Sequence, residues 1–135
     1  MLIEIKGKEY ELKWNLEAIN YLDNIYTIDF DVSGMKAKFG AGLQSGIAQL
    51  SFKSPVVVAQ FIRAGLKHYK AVIFSDEAIE NVIIERINKD GNLDLLIEDI
   101  KESLKDNPLT KGAVSDLDEE VETEEMKAHE KMEKK

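Results

Sequence analysis

Between Ser54 and Pro108 the apolar residues fall into three successive runs at helical spacing, and each run is bounded by residues that helices use to start or stop. Ser54-Pro55 supplies an N-cap and a first-turn proline. Behind it Val58, Phe61, Ile62, Leu66 and Tyr69 are apolar, against a polar stripe of Gln60, Arg63, Lys67 and Lys70. Ser75 opens the second run, with Asp76 and Glu77 near the positive end of the helix dipole. Ile79, Val82, Ile83 and Ile87 lie opposite Glu77, Asn81 and Glu85, and Gly91 closes the run. Leu93, Leu96, Ile97, Ile100 and Leu104 form the third stripe, which stops at Asn107-Pro108 because the residue before proline disfavours helical geometry. A chain with this pattern folds mainly as α.

The N-terminal part adds a different period. Ile3 and Ile5 alternate with Glu4 and Lys6, and Tyr10, Leu12 and Trp14 alternate with Glu11 and Lys13. The two segments flank Gly7-Lys8, and glycine at the first turn position suits a type II′ hairpin over 2–13. An isolated hairpin is marginal in water, so its apolar face must lie on helices. Asn15 is a fitting cap for a helix carrying Leu16, Ile19, Leu22 and Tyr26. Residues 27–34 alternate Ile28, Phe30 and Val32 with aspartates, which fits a short edge strand or an ordered loop. Over 35–51, Met35, Phe39, Leu43, Ile47 and Leu50 fit a helix, although Gly40, Gly42 and Gly46 each cost it about 1 kcal/mol relative to alanine. Two readings of those glycines stand: close packing or a change of conformation on binding, and plain sequence drift. The expected fold class is mainly α with a small N-terminal β-hairpin. The expected domains are a helical body over 1–107 and a charged tail over 108–135, flexible or conditionally helical, because Val114, Leu117, Val121, Ala128 and Met132 are too sparse to demand a core.

Composition narrows the function. A 135-residue chain that is 44% hydrophobic fits one domain. It has no cysteine, hence no disulfide and no thiolate chemistry. No run approaches the roughly 20 apolar residues of a membrane span, and Met1-Leu2-Ile3-Glu4 lacks the pattern of a secretion signal, so no membrane association and a cytoplasmic location are expected. A net charge of −8 repels phosphate backbones, which argues against nucleic acid as a partner. The tail is acidic over 116–125 and then basic at Lys127, Lys131, Lys134 and Lys135.

Candidate motifs for chemistry fail on spacing. In Phe39-Gly40-Ala41-Gly42-Leu43-Gln44-Ser45-Gly46 the third glycine stands one place late for a phosphate loop, and no βαβ unit surrounds it. Aligning Gly91 with the glycine of a calcium loop puts Arg86 first and Ile97 last, where carboxylates are required. His68 and His129 are too few and too far apart for a zinc site. No catalytic, metal or cofactor residue is therefore named. Trp14, Phe30 and Phe39 fit core positions before partner anchors.

The opening residues Ile5-Lys6-Gly7-Lys8-Glu9-Tyr10-Glu11-Leu12-Lys13-Trp14-Asn15-Leu16-Glu17-Ala18-Ile19-Asn20-Tyr21-Leu22-Asp23 resemble the start of tail assembly chaperones of long-tailed, siphovirus-type phages and prophages of Gram-positive bacteria. The small-residue helix from Gly42 to Leu50 adds to the resemblance. So do the Ser54-Pro55 helix ending in Gly65-Leu66-Lys67-His68, the acidic Ser75 helix and the helix from Leu93 to Leu104. It covers about residues 1–107 and rests on element order and apolar signatures, with no reactive motif to carry over. The resemblance implies a non-enzymatic protein of the host cytoplasm that coats the tape measure protein, recruits tail tube subunits and self-associates. On this reading the glycine-bearing helix and part of the next one line an oligomer or partner surface, with Met35, Phe39, Leu43, Ile47 and Phe61 as its residues. The alternative is an acidic regulator whose 116–125 run mimics phosphates and occupies a DNA-binding protein. A third reading is a small enzyme whose carboxylates meet only in the fold, around a deep pocket.

Overall fold

The computed structural model describes residues 1–26, 28–32, 35–39 and 42–114, and of 28–32 and 35–39 the strand pairing alone. Strands β1 (Leu2–Ile5) and β2 (Lys8–Glu11) pair antiparallel with Ile3 opposite Tyr10 and Ile5 opposite Lys8. The turn is therefore Lys6-Gly7, one residue earlier than the glycine-first placement. Both residues have positive φ, 52° and 79°, which is the type I′ pattern instead of II′. In this register the Leu12 N–H donates to the Met1 carbonyl at 2.9 Å, and Trp14 runs past the ladder, free to donate from Nε1 to Ser103 Oγ at 2.8 Å. The alternation holds: Ile3, Ile5, Leu12 and Trp14 are buried and Glu4, Lys6, Glu11 and Lys13 are exposed.

Helix α1 (Leu16–Tyr26) follows at once, capped by Asn15, whose Oδ1 accepts from the Ala18 N–H at 2.9 Å. It buries Ala18, Leu22 and Tyr26, while Leu16 is 72% exposed. Next, β3 (Ile28–Val32) pairs antiparallel with β4 (Met35–Phe39), so the strand reading of 28–32 holds and the helix expected from Met35 begins only at Gly42. The reason is a second period-two pattern, Met35-Lys36-Ala37-Lys38-Phe39. The register sets Asp29 opposite Lys38 and Asp31 opposite Lys36, as opposed charges favour.

Helix α2 (Gly42–Leu50) lies close against α1. A Cβ on Gly42 would stand 2.5 Å from Asp23 Cα, and one on Gly46 2.7 Å from the Tyr26 ring. Gly42 and Gly46 are thus explained by close packing within the chain, and Gly40 lies outside the described residues. Asp23 Oδ1 also accepts from the Leu43 N–H at 2.8 Å, tying the start of α2 to α1.

Helix α3 (Pro55–Gly65) starts where Ser54-Pro55 predicts, with the Ser54 carbonyl accepting from Val58 N–H at 3.1 Å; its hydroxyl makes no capping bond. The chain beyond Gly65 folds back over the hairpin. Lys13 N–H donates to the Gly65 carbonyl at 3.0 Å, Glu11 N–H donates to the Tyr69 hydroxyl at 2.9 Å, and His68 Nε2 donates to the Glu11 carbonyl at 2.7 Å. Tyr10, Tyr69 and Phe74 pack edge to face beside these bonds.

Helix α4 (Asp76–Asp90) has both predicted ends: Ser75 Oγ accepts from Ala78 N–H at 3.1 Å, and Gly91 at φ 89° donates to the Ile87 carbonyl at 2.7 Å. Helix α5 (Asp94–Lys105) buries Leu96, Ile97, Ile100 and Leu104, with Leu93 enclosed just before it. Arg86 bridges these two helices, donating to Asp90 and Asp99 at 2.9 Å each. Burial opposes its charge, but the two carboxylates outweigh that and raise its pKa further. The packed body does not stop at Asn107. Thr110 is fully enclosed, its hydroxyl donating to the Leu104 carbonyl at 2.6 Å, and a helical turn over 111–114 encloses Val114. The rest of the expected tail, with the 116–125 acidic run and His129, lies outside the described residues. The fold is mainly α with a small N-terminal β-hairpin, and one core joins Leu22, Leu50, Phe61, Ile62, Leu96 and Ile100.

Candidate partner-binding groove

Helices α3 and α4 run antiparallel, since Arg63 near the end of the first pairs with Asp76 at the start of the second. Each carries an apolar triplet, Val56-Val57-Val58 and Val82-Ile83-Ile84. Neighbours on a helix point about 100° apart, so three in a row cannot all face one core. Val57, Val58, Val82 and Ile83 are buried; Val56 is left 66% exposed and Ile84 44% exposed. Between them lies a groove of about 550 Å³, its floor formed by Ile79, Ile83 and Ala59 and one end by Pro55, Val56, Ile84 and Ile87.

The other end is polar. Arg63 pairs with Asp76 and donates to the Phe74 carbonyl at 3.2 Å, and Glu80 stands beside them on the α4 wall. Gln60, on the α3 wall, accepts a hydrogen bond from the Tyr26 hydroxyl. Burial, and then the neighbouring Tyr21, push the Tyr26 phenol up to about 12, so it stays protonated and keeps Gln60 oriented. Among the described residues no group of three His, Asp or Glu could hold a metal, and no buried side-chain nitrogen or oxygen lacks a hydrogen-bond partner. The chemistry this groove offers is burial of apolar surface beside a charged rim.

The residues named from sequence fall elsewhere. Leu43, Ile47 and Phe61 are brought together, but inside: all three are buried, with the Phe61 ring 6.2 Å from Trp14 and 6.3 Å from Tyr26. The close seat of α2 on α1, made possible by Gly42 and Gly46, turns that face inward. Met35 and Phe39 occupy the register positions opposite Val32 and Ile28, and their side chains lie outside the described residues. Val56, Ile84 and Ile87 were missed, although the two triplets carried the signal for the first two.

A model of the family described as phage tail assembly chaperone protein, TAC, matches residues 2–119. The chain belongs to this family. No curated protein and no solved structure gives a match. The match runs through every described element of the chaperone, including the groove and the Thr110 turn. No helix among the chaperone's described residues is long and apolar enough to cross a membrane.

Proposed function

We propose that this chaperone binds the tape measure protein and recruits tail tube subunits during tail morphogenesis, acting without catalysis in the host cytoplasm and as an assembly of several copies. The family match supports the tail-assembly setting. The observation that carries the binding role is the open groove, where Val56 and Ile84 stay in water beside a core that encloses Val57, Val58, Phe61, Ile62, Ile79, Val82 and Ile83. Leaving such side chains part-exposed forgoes roughly 1 kcal/mol each, which a partner that covers them recovers. At the rim Arg63 is engaged by Asp76 and Gln60 by Tyr26, which leaves Glu80 as a lone carboxylate with no second acid or base paired to it among the described residues. That suits a docking surface better than a reaction centre.

Co-expression with the tape measure protein of the same phage, followed by capture on a tagged chaperone, tests this reading. Retention of the tape measure protein, with tail tube protein joining when it is supplied, is the expected result. A chaperone that retains neither, and stays a monomer by light scattering at all concentrations, would sink it.

A further inference from the structure

We propose that the groove between α3 and α4 receives an amphipathic helix of about three turns whose apolar face is flanked by lysine or arginine, supplied by the tape measure protein; the source of that helix rests on the function proposed above. Length comes first. The α3 wall has 11 residues, so the trough runs about 16 Å, which accommodates apolar anchors spaced i, i+3 or i+4 and i+7. A helix also fits better than an extended strand. The walls are helices whose backbone groups are already paired, so a strand laid between them would bury N–H and C=O groups with nothing to bond.

Charge decides the flanks. Asp76 and Glu80 line the polar end; Arg63, the one base there, is already held by Asp76 and the Phe74 carbonyl, and Glu80 makes no ion pair among the described residues. An incoming carboxylate meets this acid, whereas an incoming lysine or arginine gains a partner in Glu80. A second copy of the chaperone does not supply such a helix from its described elements. On its described helices the large apolar residues exposed are Leu16 and Ile25 on α1, Val56 on α3, Ile84 on α4 and Leu95 on α5, so none of these helices offers three anchors on one face.

The test uses the full chain and two synthetic peptides of about 14 residues with the same leucine spacing, one flanked by lysines and one by glutamates, read by fluorescence anisotropy. The lysine-flanked peptide is expected to bind roughly tenfold tighter; Val56→Glu and Ile84→Glu each weaken it by a similar factor, and Glu80→Lys erases the preference. Both apolar sites are solvent-exposed, and circular dichroism confirms that the variants fold. Equal binding of the two peptides, or variants that bind like the parent, overturns the proposal. Capture of the tape measure protein separates the two levels. If the parent and both variants retain it equally, the groove assignment falls and the function stands. If the parent retains none, the function falls and the proposal with it. If Ile84→Glu instead converts an oligomer to monomers with capture unchanged, a second copy is the occupant and the proposal is wrong.

Discussion

Lys6, like Lys53 at φ 59°, is a residue held against its preference. Its φ of 52° is required by the type I′ turn, and left-handed backbone costs a residue with a Cβ about 1 kcal/mol. Asparagine tolerates that region, so Lys6→Asn is expected to raise stability by roughly 0.5–1 kcal/mol. An unchanged or lowered urea midpoint refutes the turn assignment. Gly42 is the opposite case, where space decides. At the first position of α2 alanine gains less than the roughly 1 kcal/mol of helix propensity it gives in a helix interior, and its Cβ would stand 2.5 Å from Asp23 Cα and 2.7 Å from the Asp23 carbonyl oxygen, both backbone. The net expectation for Gly42→Ala is a loss of about 1–3 kcal/mol, and a neutral result on chemical denaturation refutes the close α1–α2 packing. Tyr26 gives a pH-dependent prediction. Its phenol is raised from 10.0 to about 12 in the folded chain. The folded state therefore binds this proton more tightly than the unfolded one, so its contribution is complete below pH 10 and fades as pH climbs from 10 through 12. Stability is expected to drop over that window, and Tyr26→Phe should flatten the drop; identical slopes for both proteins contradict the burial of this hydroxyl.

Among the elements, α4 and α5 were readable because cap, stripe and stop agree: Ser75 and Gly91 bracket one, and the enclosed Leu93, Leu96, Ile97, Ile100 and Leu104 mark the other. The β3–β4 pair was half readable. Met35, Phe39, Leu43 and Ile47 are spaced four apart and satisfy a helix, while Met35, Ala37 and Phe39 satisfy a strand, and only pairing with 28–32 decides between them. The site was the least readable part. Whether Val56 or Phe61 ends up in water depends on which neighbours α3 meets, a tertiary fact that spacing along one helix does not contain. The C-terminal edge was hard to read for a similar reason: α5 ends just before Asn107-Pro108, but Thr110 and Val114 are enclosed beyond it. A chain ending at 107 is accordingly expected to be less stable than one ending at 114 by about 2 kcal/mol, from lost burial of Val114 and the lost Thr110 bond. Equal urea midpoints for the two lengths refute that.

For the whole molecule the excess of acid matters more than any one ion pair. Its surface pairs, such as Lys53 with Asp94 at 3.0 Å, are exposed and contribute little to stability. The net charge of −8 acts at longer range, steering a basic partner inward and turning an acidic one away. Raising salt from about 50 to 500 mM should slow association with the tape measure protein and change dissociation much less. A salt-independent association rate argues against a cationic partner. The Tyr26 hydroxyl adds a filter of another kind. It holds the Gln60 amide oxygen from behind the groove wall, so a guest that pulls the Gln60 side chain away from it strands a phenol in the interior at a cost of about 1–3 kcal/mol. Guests that slide past Gln60 with plain hydrocarbon escape this penalty. A side chain that never meets the visitor thereby takes part in choosing it.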